Sequence, residues 1–197
     1  MQLSHAHRPA DANSPVRLTI GELLRATASR QPERITLVDG APDKAARRRI
    51  SYRELATLAE SGARDLVSRY PAGSNIAVWA PNSLDWIMLE FSAALAGFPL
   101  VTINPSLTGH EATYILQQSR AVAIFVAKVC RANPLARRVE EIRKDLSALR
   151  YVSLLKSWAD ALGKPANEHV ALPDVAPEAT AMIQYTSGDC RSGGIRN

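Results

Sequence analysis

Two runs in this chain are apolar at every position. They are Ile76-Ala77-Val78-Trp79-Ala80 and Ala121-Val122-Ala123-Ile124-Phe125-Val126. A strand with one wet face alternates polar and apolar residues, so an unbroken apolar run bounded by turn residues suits a strand buried on both faces. Pro99-Leu100-Val101-Thr102-Ile103 and Tyr151-Val152-Ser153-Leu154-Leu155 read as further strands of the same series. Helix-period segments separate these runs. Strand and helix alternate at least four times, and that pattern argues for an α/β fold: a parallel sheet flanked by helices on both faces. The chain has 197 residues, enough for one good-sized domain, or one and a part. Hydrophobic residues make up 46% and charged residues 22%, which excludes disorder as a reading of the whole chain.

The helices announce themselves by their starts. Thr19 with Glu22, Ser51 with Glu54, and Thr108 with Glu111 each have the spacing of a capping box. The first predicts a helix with Ile20, Leu23, Leu24 and Thr27 on one face. The second predicts one that buries Leu55, Leu58, Ala59, Gly62, Ala63 and Leu66. The third sets Ala112, Ile115 and Leu116 on one side. A segment from about Leu84 to Leu95 is apolar nearly all round, so it is expected to be buried, with Gly97 ending it. Pro134 suits the first turn of a helix that buries Leu135, Val139, Ile142 and Leu146. Ile35 to Val38 is a short strand stopped by Asp39-Gly40. The expected organisation is a flexible leader over 1–18, an α/β subdomain over 19–156, and a Pro-containing linker over 157–179. A strand entering a turn follows over 180–188, and then a tail without periodicity over 189–197.

Several functional classes drop out. The stretch from Phe91 to Gly109 lacks charge, but Pro99, Asn104 and Pro105 interrupt it, so no transmembrane segment is expected. The N-terminus has no apolar core of a secretory signal. Cys130 and Cys190 form no disulfide framework and suit a reducing cytoplasm, the expected location. No metal-ligand spacing appears, and His5, His7, His110 and His169 do not fall at strand ends. The net charge of +5 owes something to Lys44, Arg47, Arg48 and Arg49. No aromatic residues are interleaved there to stack on bases, so nucleic acid is not expected as a partner. Asp85 and Glu90 lie on the helix expected to be buried, and a helix-end charge is the simpler account of them.

In a parallel α/β sheet, ligands bind beyond the carboxyl ends of the strands. Thr186-Ser187-Gly188 directly follows the extended run Thr180-Ala181-Met182-Ile183-Gln184-Tyr185. Hydroxyls and free backbone N–H groups in such a turn can hold phosphate oxygens. Spacing alone favours a plain strand-ending turn, because there is one glycine and no following Gly-Lys.

Four elements, in order, resemble the N-terminal region of the AMP-forming acyl-CoA synthetases, members of the adenylate-forming superfamily. Ile50-Ser51-Tyr52-Arg53-Glu54-Leu55 is similar to the family's early Tyr-x-Glu-Leu element. Ala94-Leu95-Ala96-Gly97, continuing through Pro99 to Asn104-Pro105, is similar to its Ala-Gly and Asn-Pro element. Residues 108–119, with Glu111, Tyr114-Ile115-Leu116 and Ser119, resemble the segment that follows. Residues 182–188 resemble the strand that enters its Tyr-Thr-Ser-Gly-Thr-Thr-Gly phosphate loop.

The resemblance implies the fold of the family's N-terminal domain, incomplete here. It also implies an ATP-dependent activation of a carboxylic, fatty acid through an acyl-adenylate to its CoA thioester. Thr186, Ser187 and Gly188 would be part of the ATP phosphate loop. ATP, Mg2+ and CoA are the family's cofactors and a small carboxylate its substrate. After Gly188 the chain departs from the pattern, with Asp189 to Asn197 in place of the lysine-bearing half of the loop. No catalytic residue is assigned, and the chain alone is expected to be inactive, binding none of these groups productively. Deletion of the G of the Asp189 codon leaves codons that can read Thr-Ala-Gly, so a frameshift inside the loop is expected. Sequencing the DNA past codon 188 tests this: no further family motif in a neighbouring frame overturns it. The alternative is a non-catalytic nucleotide- or partner-binding protein of the same fold. Exposed apolar surface is expected to favour self-association.

Overall fold

The computed structural model describes residues 17–41, 43–164 and 167–185. Helix α1 (Ile20–Arg30) leads to an antiparallel pair, β1 (Ile35–Val38) and β2 (Arg49–Ser51). Then come α2 (Tyr52–Arg69), β3 (Ile76–Trp79), α3 (Leu84–Ala96), β4 (Leu100–Ile103), α4 (Gly109–Ser119) and β5 (Ala123–Val126). α5 (Leu135–Ile142), a short 3₁₀ turn (Arg143–Asp145), β6 (Tyr151–Leu154), α6 (Leu155–Asp160) and β7 (Met182–Gln184) complete the order.

The main sheet is parallel throughout, as the apolar runs require, in the order β6-β5-β3-β4-β7. Its pleat sorts alternate residues into two cores. Ile76, Val78, Leu100, Ala123 and Phe125 face α1, α2, α3 and α6. Ala77, Trp79, Val101, Ile103, Ile124 and Val126 face α4 and α5. Tyr70 closes the first core, edge-on to Phe98, Phe125 and Tyr151 at centroid distances of 6.3, 6.3 and 5.1 Å. Two glycines set how closely the helices approach. A Cβ on Gly62 would lie 2.3 Å from the Ser92 hydroxyl of α3, and one on Gly21 would lie 2.6 Å from Leu95 Cδ2.

Two expected capping boxes close fully. Thr19 and Glu22 bond reciprocally at the start of α1, and Thr108 and Glu111 do so at α4. The third closes by half. Ser51 accepts from the Glu54 N–H, but the Glu54 carboxylate turns to Arg48, 3.1 Å away. Ser51 also ends β2, and the basic stretch before it supplies a stronger, charged partner.

The face expected of α1 is only half right. Leu24 is buried, but Ile20 and Leu23 are 42% and 55% exposed, and Gly21 takes the inward position instead. α3 likewise keeps an outer side: Met88, Leu89, Ser92, Ala93, Leu95 and Ala96 are buried, whereas Asp85, Trp86, Ile87, Glu90 and Phe91 are half-buried. Gly97 ends α3 with φ of 70°, the left-handed cap its sequence position suggested.

Candidate functional site

β3, β4, β5 and β7 run in parallel, so their carboxyl ends open on one side of the sheet. The loop after β3 leads to α3 on one face, while those after β4 and β5 lead to α4 and α5 on the other. Loops that diverge from neighbouring strand ends leave a crevice, where ligands of open α/β sheets sit. β7 enters this edge beside β4, with Met182, Ile183 and Gln184 level with Leu100, Val101 and Thr102. A bond from Leu100 N–H to the Ala181 carbonyl, 3.0 Å long, anchors its start. Ile183 and Tyr185 pack against the second core. Burial, with Tyr114 nearby, pushes the Tyr185 hydroxyl above its ordinary pKa. The candidate residues Thr186, Ser187 and Gly188 come next in the chain and lie outside the described residues, as do Asp189 to Asn197 and the leader up to residue 16.

The Asn104-Pro105 loop that follows β4 is held from three sides. The Asn104 side-chain carbonyl accepts from Ser106 N–H at 2.9 Å, which folds the turn on itself. The backbone carbonyl of Asn104 accepts from the indole of Trp79, at the end of β3, at 3.0 Å. Asn133, ahead of α5, donates from its amide nitrogen to the carbonyls of Pro105 at 2.9 Å and Leu107 at 3.3 Å. The capping box of Thr108 and Glu111 then fixes the exit into α4 and holds the Glu111 carboxyl below its ordinary value through the Thr108 bonds. Neither Trp79 nor Asn133 carries a motif. Their partners are backbone carbonyls 25 to 28 residues away, and only the fold brings these together.

Beside this loop lies a hollow of about 340 Å³, bordered by Ser106, Thr108, Arg131, Asn133 and Arg138. Two buried polar atoms in this group have no hydrogen-bond partner among the described residues: Asn133 Oδ1 and Arg138 Nε. The first is an acceptor and the second a donor, and a buried polar group left without a partner costs about 1–3 kcal/mol. The Thr108 hydroxyl already donates to the Glu111 carboxylate at 2.7 Å, so the hollow offers two guanidinium groups and the Ser106 hydroxyl beside the acceptor Asn133 Oδ1.

Other sequence candidates take structural places. Arg47 donates to the Ala41 carbonyl at 2.8 Å and Arg48 pairs with Glu54, so these cations brace the β1–β2 connection. His110 lies in the first turn of α4. Burial raises the Asp85 carboxyl pKa, a rise that Lys156 partly offsets, and burial alone raises that of Glu90. Among the described residues no three His, Cys, Asp or Glu side chains gather as a metal site would need. No described helix is long and apolar enough to cross a membrane.

Comparison with known proteins agrees with this architecture. Residues 24–188 match the family model described as AMP-binding enzyme. YngI of Bacillus subtilis (strain 168), whose name places it with the acyl-CoA synthetases, is 35% identical over 109 residues. The aligned part is 55% of this chain and 19% of that protein. The human mitochondrial medium-chain acyl-CoA ligase ACSF2 is 32% identical over 111 residues, which are 56% of this chain and 17% of the relative. Among solved structures, the long-chain-fatty-acid-CoA ligase FadD1 from Archaeoglobus fulgidus superposes with a TM-score of 0.74 at 18% identity. That match covers 94% of this chain and 38% of the other, and it shows a shared fold. The chain thus spans less than a fifth of the length of the curated relatives it matches.

Proposed function

The chain belongs to the AMP-binding enzyme family, and from that premise we propose that it is the N-terminal part of an AMP-forming acyl-CoA ligase. In that reaction a carboxylate oxygen attacks the α-phosphorus of ATP, the bond to pyrophosphate breaks, and an acyl-adenylate forms. The thiolate of CoA then attacks the acyl carbon and AMP leaves. The task of the protein in the first step is to hold the polyphosphate in line and to balance its charge. Thr186, Ser187 and Gly188 are suited to donate hydroxyl and backbone N–H groups to phosphate oxygens. The observation that carries the reading is the seat of β7. It runs parallel to β4 and ends at Gln184, two residues before Thr186, on the edge that holds the Asn104–Leu107 loop. The guanidinium-bearing Arg131 and Arg138 border a hollow beside that loop, at the same end of the sheet. Among the described residues no three His, Cys, Asp or Glu side chains gather, and in this reading the magnesium arrives bound to ATP.

The chain replaces the lysine-bearing half of the family loop with residues 189–197, so the 197-residue chain by itself is proposed to be inactive. Purified chain is expected to show ATP–pyrophosphate exchange at background with a panel of fatty acids. Exchange above background overturns the inactivity. Calorimetry with Mg-ATP tests the phosphate-loop assignment separately: a Thr186→Ala/Ser187→Ala double variant is expected to bind at least tenfold more weakly than the parent. Equal binding by parent and variant removes these residues from the site. ATP binding without exchange is also what the second reading, a non-catalytic nucleotide-binding protein of this fold, requires. Exchange in a chimera that carries residues 24–188 within YngI separates the two.

We place the protein in the cytoplasm, although the human relative is named mitochondrial. Residues 1–30 fused to a fluorescent protein are expected to leave it cytoplasmic, and fluorescence confined to an organelle overturns the placement.

A further inference from the structure

We draw no further inference here: the strongest candidate outside the site described, the cleft of about 630 Å³ that Asp39, Arg48, Asp85 and Lys156 border at the start of α3, rests on a helix N-terminus among charges of both signs, and nothing in the structure shows what would occupy it.

Discussion

Among the described glycines, Gly62 has the least room for a side chain. α2 crosses α3 there, and any Cβ would meet the Ser92 hydroxyl at 2.3 Å, with Ser92 Cβ and Trp158 Cζ2 both at 3.0 Å. The hydroxyl cannot simply turn away, because it donates to the Met88 carbonyl at 2.7 Å inside the core. Gly62→Ala is therefore expected to destabilise the chain by about 1–3 kcal/mol, despite the better helix propensity of alanine. A urea midpoint equal to that of the parent contradicts this. Gly40→Ala is the control, since nothing lies within 4 Å of its Cβ position. Glu90 is a second residue whose cost can be read from its surroundings. It is half-buried on α3, and burial raises its folded pKa above the ordinary 4.5. A raised carboxyl binds its proton more tightly in the folded than in the unfolded chain. Its relative contribution is therefore best below the unfolded pKa and worsens as pH rises through the folded one. Glu90→Gln is thus expected to raise the melting temperature at pH 7 and to lose that advantage towards pH 4. An advantage that persists unchanged at pH 4 assigns the effect to packing instead.

At the scale of single elements, the helix starts were the most legible part of the sequence, because a capping box is a local agreement between residues three apart. Thr19 with Glu22 and Thr108 with Glu111 form as their spacing required. The pH response of these two helices has the opposite sign to that of Glu90. Bonds from Thr19 and Thr108 hold Glu22 and Glu111 below the ordinary 4.5, so their stabilisation is present above that pH and fades as pH falls through the depressed folded values. Thr108→Ala is expected to cost about 0.5–2 kcal/mol at neutral pH. It should also flatten the acid limb of the stability curve. An unchanged acid limb contradicts the assignment. Strand identity was legible for a similar reason: apolar continuity reports burial on both faces, whatever the partner. The inward face of α1 was not legible. Ile20 and Leu23 have the right spacing, but Gly21 fits closely against Leu95, and a pattern of apolar residues cannot register the advantage of a missing side chain. Nor were Trp79 and Asn133 readable as loop clamps. An indole and an amide gain such roles only when the sheet order brings the ends of β3 and β4 and the start of α5 together. Asn133→Ala therefore tests the site as a built object. It is expected to speed amide exchange across residues 104–108 while β5 stays protected; equal protection of that loop in the variant shows that other contacts suffice.

At the scale of the whole molecule, the two cores differ in how far the described chain closes them. The core under α4 and α5 is sealed around Trp79, Ile124 and Val126, all fully buried. On the other face α1 buries only Gly21 and Leu24, and it turns Ile20 and Leu23 to water along with the preceding Leu18. Large apolar side chains grouped within six positions at one end of a helix are a surface that water covers poorly. The edge-strand position of β7 adds unpaired backbone groups on its outer side among the described residues. Self-association, expected from the sequence, would use this surface and rise with protein concentration. The charge of +5 opposes close approach of two copies, and salt screens that repulsion, so association is expected to strengthen with ionic strength. Ile20→Lys/Leu23→Lys replaces the two exposed large apolar side chains of α1 without touching Gly21 or Leu24. In light scattering this variant is expected to stay monomeric at concentrations where the parent associates, with a melting temperature within a few degrees of the parent's. If the variant associates as the parent does, α1 is not the contact, and the open edge of β7 becomes the surface to block next.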